Sequence, residues 1–173
     1  LSNMITAGHN MKGRILFENI PHGTEYLQTI IEAMQKSKEL QVDYQPFYGH
    51  RETFNIQPYA MKVYHQRWYV VGHIKELGGI RNIALDRTLE MNLSDISFTL
   101  PQNFNAEKYY ANSIGIYVNE ELKPTKVKIR AYGKQIEYLR SLPLHCSQKE
   151  SVSKYGDFCE FEYKLCLTPE LST

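Results

Sequence analysis

The spacing of apolar residues changes from a helical period to a strand period near Leu40. Before that point apolar residues recur at intervals of three and four, and this stripe contains Leu27, Ile30, Ile31 and Met34. The spacing predicts an amphipathic helix over Thr24–Leu40, with Thr24 as its N-cap. From Leu40 to Tyr44 apolar and polar residues alternate, which predicts a half-buried strand.

Three further strands are predicted in the same region. They cover Thr53–His65, Arg67–Lys75 and Arg81–Met91, and Gly78-Gly79 supplies the hairpin turn between the last two. Pro58 has no N–H to donate to a neighbouring strand, so we expect it at a sheet edge or at a bulge. Four short strands at this spacing are typical of a small β-barrel.

The pattern after residue 104 mixes helices and strands. In order, it predicts a short helix (Asn105–Ala111), a connector (Tyr117–Thr125), a strand (Lys126–Ala131) and a helix (Lys134–Ser141). Two strands follow, His145–Val152 and Phe158–Leu167, with a turn between them at Tyr155–Asp157. This order is most of a ferredoxin-like unit. Thr168, Pro169 and Glu170 are typical of a helix start, so we expect the natural polypeptide to continue beyond residue 173.

The predicted fold class is therefore mainly β plus α+β, in three segments. Residues 1–39 are a linker and the N-terminal helix, residues 40–104 are the small barrel, and residues 105–173 are a truncated ferredoxin-like domain.

Composition and charge indicate a soluble, cytoplasmic protein. Of the 173 residues, 42% are apolar and 23% are charged, with 20 Lys+Arg against 19 Asp+Glu. This balance argues against non-specific binding of duplex DNA by bulk charge. No apolar run approaches the ~18 residues that a membrane span needs, so we expect no membrane association.

The sequence shows no signature of an enzyme, a metal site or a cofactor. Cys146, Cys159 and Cys166 form no Cys-x-x-Cys pair, and the six histidines never fall at His-x-x-x-His spacing. There is no glycine-rich phosphate loop, activated nucleophile or pair of carboxylates placed for acid–base chemistry. We therefore expect a protein that binds and does not catalyse.

Eight aromatic residues crowd into the 26 positions from Tyr44 to Tyr69: Tyr44, Phe47, Tyr48, Phe54, Tyr59, Tyr64, Trp68 and Tyr69. Such rings either fill a small core or line a concave face that binds a ligand. Strand parity places Tyr69 and His73 on one side of the third strand and Trp68 on the other. Parity along a continuous fourth strand would also place Arg81 and Arg87 on one side.

The stretch Arg67-Trp68-Tyr69-Val70-Val71-Gly72-His73, a hairpin, and then Arg81-Asn82-Ile83-Ala84-Leu85-Asp86-Arg87 resembles the signature of the WYL domain. Val70 stands where the family usually has leucine, and Ala84 stands where a basic residue is frequent. Ser113-Ile114-Gly115-Ile116 and the Leu142-Pro143-Leu144-His145 turn resemble the C-terminal extension that follows many WYL domains.

The resemblance implies an Sm-like, SH3-type β-barrel followed by a ferredoxin-like extension. It also implies the ligand-sensing region of a bacterial transcriptional regulator that binds DNA through an N-terminal helix-turn-helix domain, absent from these residues, and that acts as a homodimer. Some members of the family bind nucleotides or short single-stranded DNA, so the resemblance implies an effector of that kind.

The residues themselves are consistent with an anionic, nucleotide-like effector. Arginine side chains can hold phosphate oxygens in a bidentate way, tyrosine rings can stack on a base, and a histidine can donate a hydrogen bond. The candidate ligand-binding residues are Tyr44, Tyr59, Trp68, Tyr69, His73, Arg81 and Arg87. Trp68 is alternatively a core residue, Arg87 is alternatively the partner of another charge, and His73 is alternatively structural.

Two other functions remain open. The barrel could be an oligonucleotide-binding module in its own right, with an affinity that falls steeply with salt. The chain could instead be an oligomerisation module in which Arg81 and Arg87 pair across a subunit interface.

Overall fold

The computed structural model of the chain describes residues 22–119, 121–152 and 157–171. They form two antiparallel sheets, one of five strands and one of three, with helices packed against them. The five-stranded sheet contains β1 (Lys38–Tyr44), β2 (Glu52–Tyr64), β3 (Arg67–Ile74), β4 (Gly79–Ala84) and β5 (Thr88–Ser97). The three-stranded sheet contains β6 (Thr125–Tyr132), β7 (Lys149–Val152) and β8 (Phe158–Leu165). The α-helices are α1 (Leu27–Lys36), α2 (Ala106–Tyr110) and α3 (Lys134–Ser141).

Helix α1 is the predicted amphipathic helix, in a shorter form. A 3-10 turn (Thr24–Tyr26) precedes it, and Ser37 ends it by adopting a left-handed conformation with φ of 52°. The predicted end at Leu40 was wrong because Lys38 already pairs with β5. The apolar face of α1 buries Ile30 completely against the sheet, as the spacing required.

The core beneath α1 follows the predicted alternation along β1. Leu40 and Val42 are fully buried, and Tyr44 is 9% exposed, whereas Gln41 faces solvent. Their cross-strand neighbours on β2, which include Phe54 and Ile56, join the same cluster. This apolar layer fixes the register of β1, because a slip by one residue would turn every buried side chain outward.

The predicted fourth strand is in fact two strands separated by a turn. Strand β4 ends at Ala84, a 3-10 turn covers Leu85–Arg87, and β5 begins at Thr88. The turn is needed because β4 pairs with β3 at one end of the sheet and β5 pairs with β1 at the other. Fully buried Leu85 anchors the crossing in the core. The shared face predicted for Arg81 and Arg87 is therefore interrupted.

The strand order β4-β3-β2-β1-β5 is that of an open sheet. The mainly β, antiparallel character is as predicted, whereas the described strands do not close into the expected Sm-like or SH3-type barrel. Pro58 lies in β2 and pairs with Gly72 of β3, and the register with β3 shifts between Pro58 and Ala60. The shift confirms the bulge expected at this proline, and the pairing of β2 with β1 ends before it, at Ile56.

The second sheet has the order β6-β8-β7. Its core is formed mainly by alternate residues of β8, with Phe161 fully buried and Tyr163 2% exposed, and α3 packs Ile136 and Leu139 against it. The predicted succession of strand, helix, strand and strand is observed, although β7 begins at Lys149 and not at His145. Of the predicted turn at 155–157, only Asp157 lies within the described residues. The predicted helix start at Thr168 leads into a 3-10 turn, Pro169–Leu171.

A network of hydrogen bonds joins the two parts of the chain. The Asn82 side chain donates from Nδ2 to the carbonyl oxygen of Ile116, at 2.8 Å, and accepts from the Tyr110 hydroxyl. Lys62 Nζ donates to the carbonyl oxygen of Gly115, at 2.6 Å. Asn82 and Lys62, the two donors on the sheet, therefore bond to neighbouring residues of one segment, which crosses the outer face of β2–β4.

Gly72 marks the tightest point of the five-stranded sheet. It pairs with Pro58 at the bulge, and a Cβ atom at Gly72 would lie 2.0 Å from the carbonyl oxygen of Gln57. Because that oxygen belongs to the backbone, it cannot move aside without displacing β2. We expect Gly72→Ala to lower the free energy of unfolding by about 3 kcal/mol, measured by urea-induced unfolding.

Val63→Ala is the matched control, since Val63 is on the same strand pair and is 49% exposed. It should cost less than about 1 kcal/mol. Equal destabilisation by the two variants would contradict the steric argument.

Candidate ligand-binding site

Arg87 closes the 3-10 turn between β4 and β5, and its side chain lies under an aromatic ring. The guanidinium carbon is 3.7 Å from the ring centroid of Phe47, in the turn between β1 and β2. The backbone N–H of Gln45 donates to the carbonyl oxygen of Arg87 at 3.1 Å, so the two turns are held together by the backbone as well. Arg87 Nε is buried without a hydrogen-bond partner among the described residues.

Gly23, which precedes the first 3-10 turn, packs against the Leu85–Arg87 turn. Gly23 has φ of 111°, and a Cβ atom there would lie 2.5 Å from the backbone of Leu85. Only glycine combines this left-handed conformation with so close an approach. The residues that lead into α1 therefore pack directly on the turn that contains Arg87.

A second arginine lies beside the first. Arg67, at the start of β3, pairs through Nε with Asp86 Oδ2 at 2.9 Å, and its guanidinium carbon is 5.9 Å from the Phe47 ring centroid. A hydrogen bond to the side chain of Tyr69 and the charge of Asp86 raise the pKa of the Arg67 guanidinium. Asp86 thus neutralises Arg67, whereas among the described residues no carboxylate forms an ion pair with Arg87.

Tyr44 forms the floor of this cluster. It is buried in contact with Phe54, with ring centroids 6.1 Å apart, and lies close enough to Arg87 to share a side-chain hydrogen bond. Burial raises the pKa of the Tyr44 hydroxyl, although the Arg87 charge lowers it in part. The hydroxyl is therefore protonated at neutral pH. We call Tyr44, Phe47, Arg67, Tyr69, Asp86 and Arg87 the arginine cluster.

The turn above the arginine cluster is rich in exposed rings. Phe47 is 65% exposed and Tyr48 is 95% exposed. Arg51, at the end of this turn, donates from Nε to Asp43 Oδ1 at 2.7 Å. A stacked Arg–ring pair open to solvent offers a flat apolar surface and a cation in the same place. That combination suits a planar anionic ligand.

The structure brings together three of the seven predicted site residues in the arginine cluster: Tyr44, Tyr69 and Arg87. Trp68 points to the opposite side of β3 and packs against the core beneath α1. Its position agrees with the alternative interpretation of Trp68 as a core residue.

The other three predicted residues lie elsewhere on the five-stranded sheet. Tyr59 and His73 line a cavity between the sheet and the segment that follows β5. Arg81 is exposed at the β3–β4 hairpin, where it donates to the carbonyl oxygens of Leu77, at 2.7 Å, and of Ile80, at 3.0 Å. Arg81 and Arg87 therefore do not face one common hollow.

Three members of the arginine cluster were absent from the sequence-based set. Arg67 shares its strand face with Tyr69, so parity alone pointed to it. Asp86 directly precedes Arg87, and the sequence did not indicate that its charged partner is Arg67. Phe47 gave no specific signal, because its place over Arg87 depends on how the β1–β2 turn folds back on the 3-10 turn.

The described residues lack two further kinds of functional feature. No group of three or more His, Cys, Asp or Glu side chains could hold a metal ion among them. No helix in the described part of the chain has the length and apolar character to cross a membrane.

Comparison with known proteins gives one family. The model of the WYL domain matches residues 25–93, which span α1 and most of the five-stranded sheet. The comparison with curated proteins found no match.

Among solved structures, the chain is similar to proteasome accessory factor B/C (PafBC) of Arthrobacter aurescens, with a TM-score of 0.49 and 17% sequence identity. The similarity covers 93% of this chain and 25% of PafBC, so the chain spans about a quarter of that protein's length.

The family match confirms the resemblance seen in the sequence, and the matched residues include α1, β1 and the stretch from Arg67 to Arg87. Residues 25–93 of this chain are a WYL domain.

Proposed function

We propose that this chain is the ligand-sensing region of a DNA-binding transcriptional regulator and that its effector binds at the arginine cluster. The WYL domain supports a regulatory role in transcription. In this proposal the DNA contact belongs to a helix-turn-helix domain of the same protein, the regulator works as a homodimer, and the chain performs no catalysis.

The main support for the proposal is the environment of the Arg87 guanidinium. Its guanidinium is stacked on the exposed Phe47 ring at 3.7 Å, and no described carboxylate neutralises it. A partly buried guanidinium without a counter-charge is costly to maintain. An incoming anion would remove that cost and add charge-assisted hydrogen bonds.

The effector is accordingly an anionic, nucleotide-like molecule or a short single-stranded nucleic acid. Its phosphate would pair with Arg87, and its base would stack on a ring of the β1–β2 turn. Base–ring stacking contributes about 1–3 kcal/mol per base. The ion pair with Asp86 leaves Arg67 with a smaller share of the binding, since its charge is already compensated.

Arg87→Ala is expected to weaken binding of short single-stranded DNA or of the best ligand from a nucleotide panel by about 10- to 100-fold. The reason is the loss of the charge-assisted hydrogen bonds and of the stack on Phe47. Fluorescence anisotropy with labelled oligonucleotides and calorimetry with unlabelled nucleotides measure the change.

Arg130→Ala is the control for charge, since Arg130 is an exposed arginine on β6 that pairs with Glu160 at 3.1 Å. Its affinity should stay within about twofold of the parent chain, because surface ion pairs contribute little. If neither arginine variant binds any panel member differently from the parent chain, the arginine cluster is not the effector site.

Salt dependence distinguishes a nucleotide effector from an oligonucleotide. Single-strand binding through several phosphates gives a log–log slope of affinity against salt of about −0.7 per phosphate contacted. With one fully available arginine, we expect a slope no steeper than about −0.7, from titrations at a series of salt concentrations. A slope several times steeper would instead favour a general oligonucleotide-binding module.

The oligomerisation alternative predicts a different result for the same variants. If the arginine cluster serves a subunit interface, Arg87→Ala changes the mass measured by sedimentation and no panel ligand binds to the parent chain.

A further inference from the structure

A cavity separate from the arginine cluster lies between the WYL domain and the segment that follows it. Its volume is about 550 Å³, which falls in the range of small-molecule sites. Tyr59, His73 and Ile80 line it from the five-stranded sheet, and Phe104 and Tyr109 line it from the segment around α2. We call this space the interface cavity.

One side of the interface cavity is a continuous aromatic wall. The ring centroids of Tyr59 and Phe104 are 5.0 Å apart, and those of Phe104 and Tyr109 are 6.0 Å apart. Each pair is tilted, with interplanar angles of 55° and 45°. Together the three rings give an apolar surface against which a planar molecule can pack.

Several polar side chains that line the interface cavity are available to bond to a ligand. The side-chain amides of Asn103 and Asn112, the His73 imidazole and the Lys108 ammonium line the space. In the described parts of the chain, no residue forms a hydrogen bond or an ion pair with any of these four side chains. An amide, an imidazole and an ammonium that converge on one space supply donors and acceptors for the edge of a ligand.

Among the described residues that line the interface cavity there is no aspartate or glutamate, and Lys108 is the one lysine or arginine. A single cation favours a single negative charge on the ligand. The more heavily charged effector of the arginine cluster would find only one counter-charge here.

We propose that the interface cavity is a second ligand site, and that it takes a small aromatic or heteroaromatic monoanion. The ring of the ligand packs on the Tyr59–Phe104–Tyr109 wall, its carboxylate faces Lys108, and ring substituents bond to Asn112 and His73. Because the walls come from both parts of the chain, the bound ligand joins the WYL domain to the following segment.

Nuclear magnetic resonance of the whole chain, labelled with 15N, tests the site. The probes are 4-hydroxybenzoate, indole-3-acetate and nicotinate, with cyclohexanecarboxylate as the control for the ring and benzyl alcohol as the control for the charge. We expect at least one aromatic acid to shift the amide resonances of residues 112–113 and of His73 saturably, with a Kd below about 1 mM. Both controls should bind at least about tenfold more weakly.

Two variants locate the binding. Lys108→Gln removes the cation from an exposed side chain and should weaken the best aromatic acid about tenfold. Lys126→Gln, an exposed lysine on β6 paired with Glu162, is its matched control and should leave the affinity within about twofold. Tyr59→Leu removes one ring of the wall and should weaken binding to a similar extent.

The proposal is overturned if none of the three acids shifts these resonances at millimolar concentration, or if the shifts fall on residues 44–51 and 87. It is also overturned if Lys108→Gln and Lys126→Gln have the same affinity. These outcomes are independent of the arginine cluster, where the ligands and the diagnostic substitution are different.

Discussion

The side chain of Asn82 holds the WYL domain to the rest of the chain. It lies on β4, at one end of the sheet, and both of its polar atoms are engaged: one bonds to the backbone at Ile116 and the other to the Tyr110 hydroxyl. Half-buried amides need partners on both sides. If the segment moved away, Asn82 would lose both partners at once. Together with the other contacts of this segment, the Asn82 hydrogen bonds set the distance between the segment and the sheet, and the interface cavity lies in the space between them.

Lys62 supports the same junction at an electrostatic cost. Its ammonium lies 3.6 Å from the centroid of the Tyr110 ring and donates to the backbone at Gly115. Burial lowers the pKa of Lys62, while the charge of Glu170 raises it in part. Glu170 accepts from the backbone N–H groups of Ile116 and Tyr117, each at 3.0 Å. The segment is therefore held between Lys62 of the WYL domain and Glu170, and the charge of Glu170 offsets part of the desolvation of Lys62.

The sequence was sufficient for the elements whose side chains alternate between core and solvent. The amphipathic stripe located α1, and the period of two located β1 and β8, because burial on one face imposes those spacings. The sequence pattern did not predict the turn at Leu85–Arg87, because Leu85 and Arg87 continue the alternation of a strand although the chain turns there. Burial of Leu85 and the close approach of Gly23 impose that turn, and both are tertiary constraints. The same turn separates Arg87 from Arg81, so an error of local structure became an error about which cations share a site.

The positions of the two proposed ligand sites determine what each could regulate. A ligand in the interface cavity contacts both parts of the chain, so its binding free energy depends on how they are placed. An effector at the arginine cluster contacts the β1–β2 turn and the Leu85–Arg87 turn, which belong to the WYL domain alone. Its influence would pass from Leu85 to Gly23 and so to the start of α1, the end of the domain that faces any preceding segment. A ligand can shift an equilibrium only by its difference in affinity between two states. In the two proposals, that difference arises at the Gly23–Leu85 contact for the effector and at the Asn82 contact for the aromatic ligand. The two sites can therefore act on different neighbours of the WYL domain.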